Sequence, residues 1–315
     1  MSILSRPYFH DEEAAFAKLE SVVWPNGAIC PHCGGYERIY KIKPSLEKKV
    51  RIGLHKCGQC RKQFTVKVGT VFESSHVPLH KWLQAIFLIA SSKKGISANQ
   101  LHRTLEVTLK TAWFMGYRIR EAMRQGALAP MGAGGGTVEV DETFIGHDRT
   151  IRPKGRKKGR GYHHKFKVLT LVDRVGRTKS VVVGDLKAKT LVPILREHIA
   201  HEARVITDEA GQYKHLYRDF AEHQVVHHNR GEYGRGEIHT NTVEGYFSIF
   251  KRGMKGVYQH CSEKHLHRYL AEYLAEFDFR YNERIALGVD DDERGDKLLA
   301  GIVGKRVLYR DSSAG

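Results

Sequence analysis

The sequence predicts a multidomain α+β chain: a small cysteine-rich module, a helical domain and an α/β core. Three observations predict it. Two C-x-x-C pairs sit in a Gly- and Lys-rich stretch, residues 78–125 follow a helical pattern, and strand-like runs begin only after a glycine-rich segment, 126–136. The domains expected are 1–74 (an N-terminal helix and the cysteine module), 75–130 (helical), 131–287 (the core, with a basic insertion at 149–167) and a loosely packed tail, 288–315.

The first helix is expected over 10–24, ending at Trp24-Pro25-Asn26-Gly27. Cys30-Pro-His-Cys33 and Cys57-Gly-Gln-Cys60 follow, 23 residues apart. Each pair turns tightly enough to aim two thiolates at one ion, and two such turns complete the four-sulfur tetrahedron of a structural zinc. The module therefore reads as a zinc ribbon with Cys30, Cys33, Cys57 and Cys60 as ligands. Gly34 and Gly58 lie where a knuckle needs backbone freedom, and His32 and His55 read as surface neighbours. Lys41, Lys43, Lys48, Lys49, Arg51, Lys56, Arg61 and Lys62 surround the ribbon.

Pro78 opens the second helix, and Ser97 is placed to cap a third. A turn at Glu106-Val107 leads to a fourth that begins Thr108-Leu-Lys-Thr. Two helices around a short turn resemble a helix-turn-helix, in which Lys110, Thr111 and Arg118 would face a DNA groove or its phosphates. An ordinary helical bundle with a basic face gives the same pattern.

In the core, strands are expected at Thr137–Ile145, Phe166–Val172, Lys179–Val183, Arg204–Thr207 and Gln224–His227. Helical stretches are expected at 190–201, 211–220, 240–253 and 262–282. Asp173 reads as the turn residue of a hairpin. Asp141 falls inside the first strand, where a carboxylate is expensive unless it binds something. Asp208 ends a second strand after an interval of 66 residues, and Glu244 lies on a helix after a further 35. Two strand carboxylates and one helix carboxylate can converge on a pair of Mg²⁺ ions, with Mn²⁺ as a substitute, the arrangement that supports in-line displacement at phosphorus. Glu139 shares a strand face with Asp141, while Glu142 points to the other.

The chain carries 52 Lys and Arg against 35 Asp and Glu, a net charge of +17. That excess favours a polyanionic partner, DNA above all. Nine of the cations lie between Arg149 and Lys167 with no acid among them, and Arg156, Lys157, Lys158 and Arg160 are the candidate phosphate contacts there. Cysteine usage, the absence of a signal-like N-terminus and the shortness of every apolar run predict a soluble, cytoplasmic protein.

The order of strands, helices and carboxylates resembles the RNase H-like core of DDE transposases and integrases. The likeness extends to the zinc ribbon, Val140-Asp-Glu-Thr-Phe-Ile-Gly, Thr207-Asp-Glu-Ala-Gly-Gln-Tyr, His239-Thr-Asn-Thr-Val-Glu-Gly-Tyr-Phe-Ser-Ile-Phe-Lys-Arg and the closing Tyr269-Leu-Ala-Glu-Tyr-Leu-Ala-Glu-Phe-Asp-Phe-Arg-Tyr-Asn-Glu-Arg. In that order these motifs resemble one group of bacterial insertion-sequence transposases, prokaryotic relatives of the eukaryotic Merlin elements, from about residue 8 to 287. The resemblance implies a metal-dependent DNA transposase that binds terminal inverted repeats, cuts at the element ends and joins the 3′-hydroxyls to target DNA, working as a dimer or larger assembly. It implies Asp141, Asp208 and Glu244 as metal ligands, with Asn241 the alternative third position. Lys251, seven residues after Glu244, and Arg252 would contact the DNA. A nuclease or resolvase that cuts without joining, or a regulator that only binds DNA, would share much of this sequence.

Overall fold

A computed structural model describes residues 2–126, 129–146, 164–231, 234–259 and 263–305. They form a mixed α+β chain that divides into two compact units, one holding residues up to Arg124 together with those from Gly288 onward, the other Gln125–Leu287.

In the first unit, helix α1 (Glu12–Val23) is capped by the Asp11 carboxylate, which accepts from Ala14 N at 2.7 Å, and opens with Glu12 and Glu13, the charge its N-terminus favours. Strands β1 (Ile39–Lys41), β2 (His55–Cys57) and β3 (Gln63–Phe64) make a small antiparallel sheet. His55 departs from its expected surface position. It is 5% exposed, stacked on Phe64 and set edge-on to Trp24, because the ribbon has few large apolar residues with which to fill its centre.

Helix α2 (Leu79–Ser91) buries Leu79, Trp82, Leu83, Ile86 and Ile89, and its first N–H groups, those of Leu79 and His80, donate to the Glu12 carboxylate at 2.7 and 3.1 Å. Ser97 caps α3 (Ala98–Leu105), and Thr108 caps α4 (Leu109–Met123). The intervening Glu106 adopts a left-handed conformation (φ 51°), which ends α3 and turns the chain into α4 within three residues.

The second unit is built on a five-stranded sheet. Its strands are β4 (Thr137–Ile145), β5 (Phe166–Asp173), β6 (Thr178–Val183), β7 (Arg204–Asp208) and β8 (Glu222–Val226), ordered β6-β5-β4-β7-β8. β5 pairs antiparallel with both β4 and β6, β7 joins β4 in parallel and β8 joins β7 in parallel. Helix α5 (Ala188–His198) links β6 to β7, while the expected helix at 211–220 is two 3-10 turns, Gly211–Tyr213 and Leu216–Arg218. Helices α6 (Asn241–Gly256) and α7 (Glu263–Asn282) close the unit.

Strand alternation divides the core into two. Val138, Val140, Leu169 and Leu171 pack with Leu191 and Leu195 of α5, and Val168 and Val172 pack with Val243, Tyr246, Phe250 and Phe277 of α6 and α7. The outer edge of β6 is covered by α7: Asp278 accepts from Ser180 N at 2.7 Å, and Asn282 accepts from Thr178 N and donates to Thr178 O. Asp173 makes the expected turn, accepting from Gly176 N and Arg177 N at 2.8 Å each. The glycine-rich stretch belongs in part to the core. Met131 is 1% exposed and bridges in parallel to Ile199, with Gly132 at φ 73° where a Cβ would strike Val138 and Ala203.

The tail also departs from expectation. Helix α8 (Asp291–Ala300) buries Leu298 and Leu299. Its acidic start, which reads as solvated sequence, is a capping box between Asp290 and Glu293, and Asp292 and Asp296 pair with Arg6 and Lys18 at 2.6 and 2.7 Å.

Candidate functional site

The hydrogen-bonded register of β4 and β7 sets the site. The strands pair Thr137 with Arg204, Val138 with Val205 and Glu139 with Ile206, and there the ladder stops. Asp141 and Asp208 each lie two residues further on, so the carboxylates stand side by side where the parallel strands part. Each strand stays paired on its outer side, Asp141 opposite Thr170 of β5 and Asp208 opposite Val226 of β8. The opening between parallel strands at their C-terminal ends is a common place for a ligand.

Glu244 comes to the same place on α6. That helix turns Val243, Tyr246, Phe247 and Phe250 inward and leaves Glu244, Ser248, Lys251 and Arg252 exposed along one face. Its N-terminus is clamped by Glu139, which is 0% exposed. The Glu139 carboxylate accepts from Thr242 N at 2.9 Å, Thr242 Oγ1 at 2.8 Å and Val243 N at 3.0 Å, with Arg174 at 3.0 Å and His239 at 3.4 Å. Asn241 is the first residue of α6, and the carboxylate of Glu139 satisfies the next two N–H groups.

The electrostatics fit a cation. Burial, joined by the charges of Glu142, Asp208 and Glu244, pushes the Asp141 carboxyl up to about 7, against a single opposing hydrogen bond from Glu142 N. Burial likewise raises Asp208 and Glu142. A group of carboxylates held together against their own repulsion, with hard oxygen donors, is a fitting place for a divalent ion such as Mg²⁺. Among the described residues no three of these acids bring oxygens mutually within 4.8 Å, as the four cysteines bring their sulfurs.

Five contacts around these acids were not read from the sequence. Glu142 accepts from Tyr213 Oη at 2.5 Å and Gln212 Nε2 at 3.0 Å, and Glu209 accepts from His228 N at 2.8 Å. His228 Nε2 lies 3.8 Å from Glu244 Oε1, and Thr240 Oγ1 donates to the same oxygen at 3.0 Å. The side chains of the Thr207–Tyr213 motif thus orient the site as much as they supply it.

In the ribbon, Cys30, Cys33, Cys57 and Cys60 form one metal site. The sulfurs of Cys30 and Cys60 are 3.6 Å apart, those of Cys33 and Cys57 3.7 Å, close to the ~3.8 Å edge of a tetrahedron with Zn–S bonds of about 2.3 Å. The N–H of Cys60 in the knuckle helps draw the Cys57 thiol down to about 7. This donor set fits a structural zinc.

Two family models match the chain and together cover more than half of it: an ISXO2-like transposase domain over residues 134–282 and a transposase zinc-ribbon domain over residues 10–63. The chain belongs to the IS1595 transposase family. An uncharacterized protein in transposable element ISH50 of Halobacterium salinarum is 29% identical over 262 residues, 78% of this chain and 83% of that protein. The crystal structure of a pre-cleavage Mos1 transpososome aligns with 72% of this chain and 79% of its own at 12% identity, with a TM-score of 0.23, too low to argue from.

The transposase places its expected DNA-contacting residues unevenly. Lys110 is exposed at the start of α4, and Thr111 beside it shares a hydroxyl hydrogen bond with Thr108 at 2.8 Å. Arg118 is corrected: it is 5% exposed and donates to Val71 O at 2.7 Å and Glu73 O at 2.9 Å, because its helix face turns inward. Lys251 lies over the Phe247 ring at 5.8 Å, and Arg252 donates to Ser248 O. Arg156, Lys157, Lys158 and Arg160 lie outside the described residues. No helix among the described residues is long and apolar enough to cross a membrane.

Proposed function

We propose that this transposase binds the terminal inverted repeats of its element, cleaves a phosphodiester bond at each end and joins the resulting 3′-hydroxyls to target DNA. Residues 131–287 act as an RNase H-like catalytic domain, and the ribbon (1–74) and helical region (75–130) hold the DNA. The observation that carries the reading is the shared register of Asp141 and Asp208 at the parting of β4 and β7, with Glu244 presented beside them. The strand order, three antiparallel strands extended by two parallel ones, supports the RNase H-like assignment.

In this reading Asp141, Asp208 and Glu244 hold two Mg²⁺ ions, or Mn²⁺ in their place. Bound there, the ions would withdraw charge from the phosphate and favour ionisation of the attacking oxygen. The chain's own groups orient the reactants. Glu139 fixes the helix that carries Glu244, and Thr240 and His228 hold the Glu244 carboxylate. Lys251 and Arg252, exposed on the Glu244 face, take the phosphates of the end nucleotides. In the first displacement water forms a bond to phosphorus as the 3′-oxygen leaves; in the second that 3′-oxygen attacks a target phosphate and releases the target's own 3′-oxygen.

Lys110 and Thr111 contact duplex DNA from α4, and Arg156, Lys157, Lys158 and Arg160 neutralise backbone phosphates. Two ends must be joined together, so the active form is a dimer or larger assembly, working in the cytoplasm.

A strand-transfer assay tests this. Labelled end DNA from the flanks of the gene is mixed with plasmid and Mg²⁺. Joining by wild type, its loss in Glu244→Gln and its survival in Asn241→Ala are the expected results. Cutting without joining in wild type overturns the transposition reading in favour of a nuclease, and survival of Glu244→Gln overturns the ligand assignment.

A further inference from the structure

The outer face of the ribbon sheet carries a feature that duplex binding does not need. Tyr40 on β1 stands opposite Lys56 on β2, and Lys56 opposite Gln63 on β3, so one row of side chains crosses the sheet. All three are exposed, Tyr40 at 58% despite its size. The ring is held in place from below. A Cβ on Gly58, in the second cysteine knuckle, would lie 3.1 Å from Tyr40 Cε2 and 3.0 Å from Arg38 Cβ, and Gly58 N donates to Arg38 O at 2.7 Å. The knuckle backbone, bare of a side chain, thus supports the Tyr40 ring and the Arg38 stem, and the ring offers its area to solvent.

The charge around it has one sign. Between Ala28 and Gln63 there are nine Lys and Arg, all exposed, against two acids, Glu37 and Glu47. A fixed aromatic face among cations matches a nucleic-acid strand whose bases are unpaired, since a base in a duplex has both faces covered by its neighbours. Cations alone would suffice for duplex phosphates.

We propose that this face of the ribbon binds unpaired DNA, with one base stacked on Tyr40 and the adjoining phosphates held by Arg38 and Lys56. The proposal rests on the reading of the chain as a DNA-acting transposase and adds that the ribbon grips single-stranded segments, such as those exposed when an element end is opened.

The test uses the full-length, zinc-loaded protein and fluorescence anisotropy with two probes, a labelled 15-mer of dT and a labelled hairpin duplex. Tyr40→Leu keeps an apolar side chain over Gly58 but removes the π face, and Tyr40→Phe restores it. The expected result is about a tenfold loss of affinity for dT in Tyr40→Leu, duplex affinity within twofold of wild type, and near-wild-type binding of both by Tyr40→Phe. Lys56→Ala should weaken both probes and reduce the salt dependence of binding by about one counterion. Equal loss on both probes, or none on dT, overturns the proposal while leaving DNA binding intact. Failure of wild type to bind either probe overturns the functional reading beneath it. A second measurement needs no substitution: dT carrying 5-iodouracil, irradiated on wild type, should crosslink at Tyr40, and crosslinking confined to residues outside the ribbon overturns the proposal even where Tyr40→Leu loses its zinc.

Discussion

Glu139 of β4 accepts hydrogen bonds from the backbone N–H groups of Thr242 and Val243 in α6, joining the strand of Asp141 to the helix of Glu244 through one buried carboxylate. Both of its oxygens are used within the protein, which separates it from the acids two and three residues further along the strand. Replacing it with Ala removes the acceptor from the buried Val243 N–H and the partly buried Thr242 N–H and leaves Arg174 without its charge partner. We expect Glu139→Ala to cost about 3 kcal/mol, seen as a lower unfolding temperature. Glu139→Gln should recover part of that loss, since both N–H groups donate to one oxygen that an amide also supplies, yet bind Mn²⁺ more weakly than wild type in calorimetry, because its NH2 would stand where the other carboxylate oxygen meets Arg174. Unchanged stability in Glu139→Ala would show that the clamp is dispensable.

The acid cluster makes stability depend on pH in a definite direction. With the Asp141 carboxyl at about 7 in the folded protein and near 3.8 when unfolded, the folded state holds a proton that the unfolded state has lost throughout that interval. Stability from this group is therefore greatest below pH 4 and declines as pH rises towards 7, after which it is level. Asp208 and Glu142 are shifted in the same direction. Zinc-loaded protein without added Mg²⁺ should unfold at a higher temperature at pH 5.5 than at pH 7.5, once the ordinary surface titrations are accounted for with Asp141→Asn as reference. An identical slope in that variant would remove Asp141 as the source.

Arg118 should behave as a structural residue. Its guanidinium satisfies two backbone carbonyls in the segment that follows the ribbon, and Arg118→Ala leaves both without that donor. A loss of about 2–3 kcal/mol is expected, with Arg118→Lys recovering part of it, because both carbonyls accept from a single nitrogen, Nη1, that an ammonium can replace, while the planar guanidinium over the Phe114 ring is lost. Lys110→Ala, at an exposed position on the same helix, should leave the unfolding temperature unchanged and lower duplex affinity. The reverse pattern would return Arg118 to the DNA-facing surface.

The contrast between these residues shows what sequence could and could not reveal. The cysteine pairs were legible because two short turns with fixed chemistry need no knowledge of the rest of the fold. Asp141, Asp208 and Glu244 could be located on strands and a helix because each is a charged residue in an apolar period. Glu139 lies in the same strand with the same pattern, and only the contact across 103 residues distinguishes a clamp from a ligand. Arg118 was misassigned because a helix-turn-helix pattern gives the helix but not which of its faces is buried. His55 and the acidic start of α8 were misread for a related reason: polar residues read as solvated until the partners that bury or cap them are known.

The ribbon offers a last prediction with its own reporter. Trp24 meets His55 and Phe64 with ring centroids 5.3 and 5.8 Å away, both edge-on, so its fluorescence senses the packing of the ribbon centre. That centre is small, consisting of Cys30, Cys57 and Phe64 with Trp24, Ile39, Cys60 and Val68 against it, and three of its members are metal ligands. Too little apolar area is present to hold the ribbon without its ion, and the four thiolates would repel once it is gone. Stripping zinc with a strong chelator should release one equivalent of metal, shift Trp24 emission to the red and abolish the ribbon's protection from hydrogen exchange, with Asp173 and its turn in the second unit remaining protected. Cys57→Ser should reproduce the loss at ordinary zinc concentrations. Retention of the ribbon's protection after full removal of zinc would mean that Trp24, His55 and Phe64 suffice to hold it, and that the four cysteines serve something other than the fold.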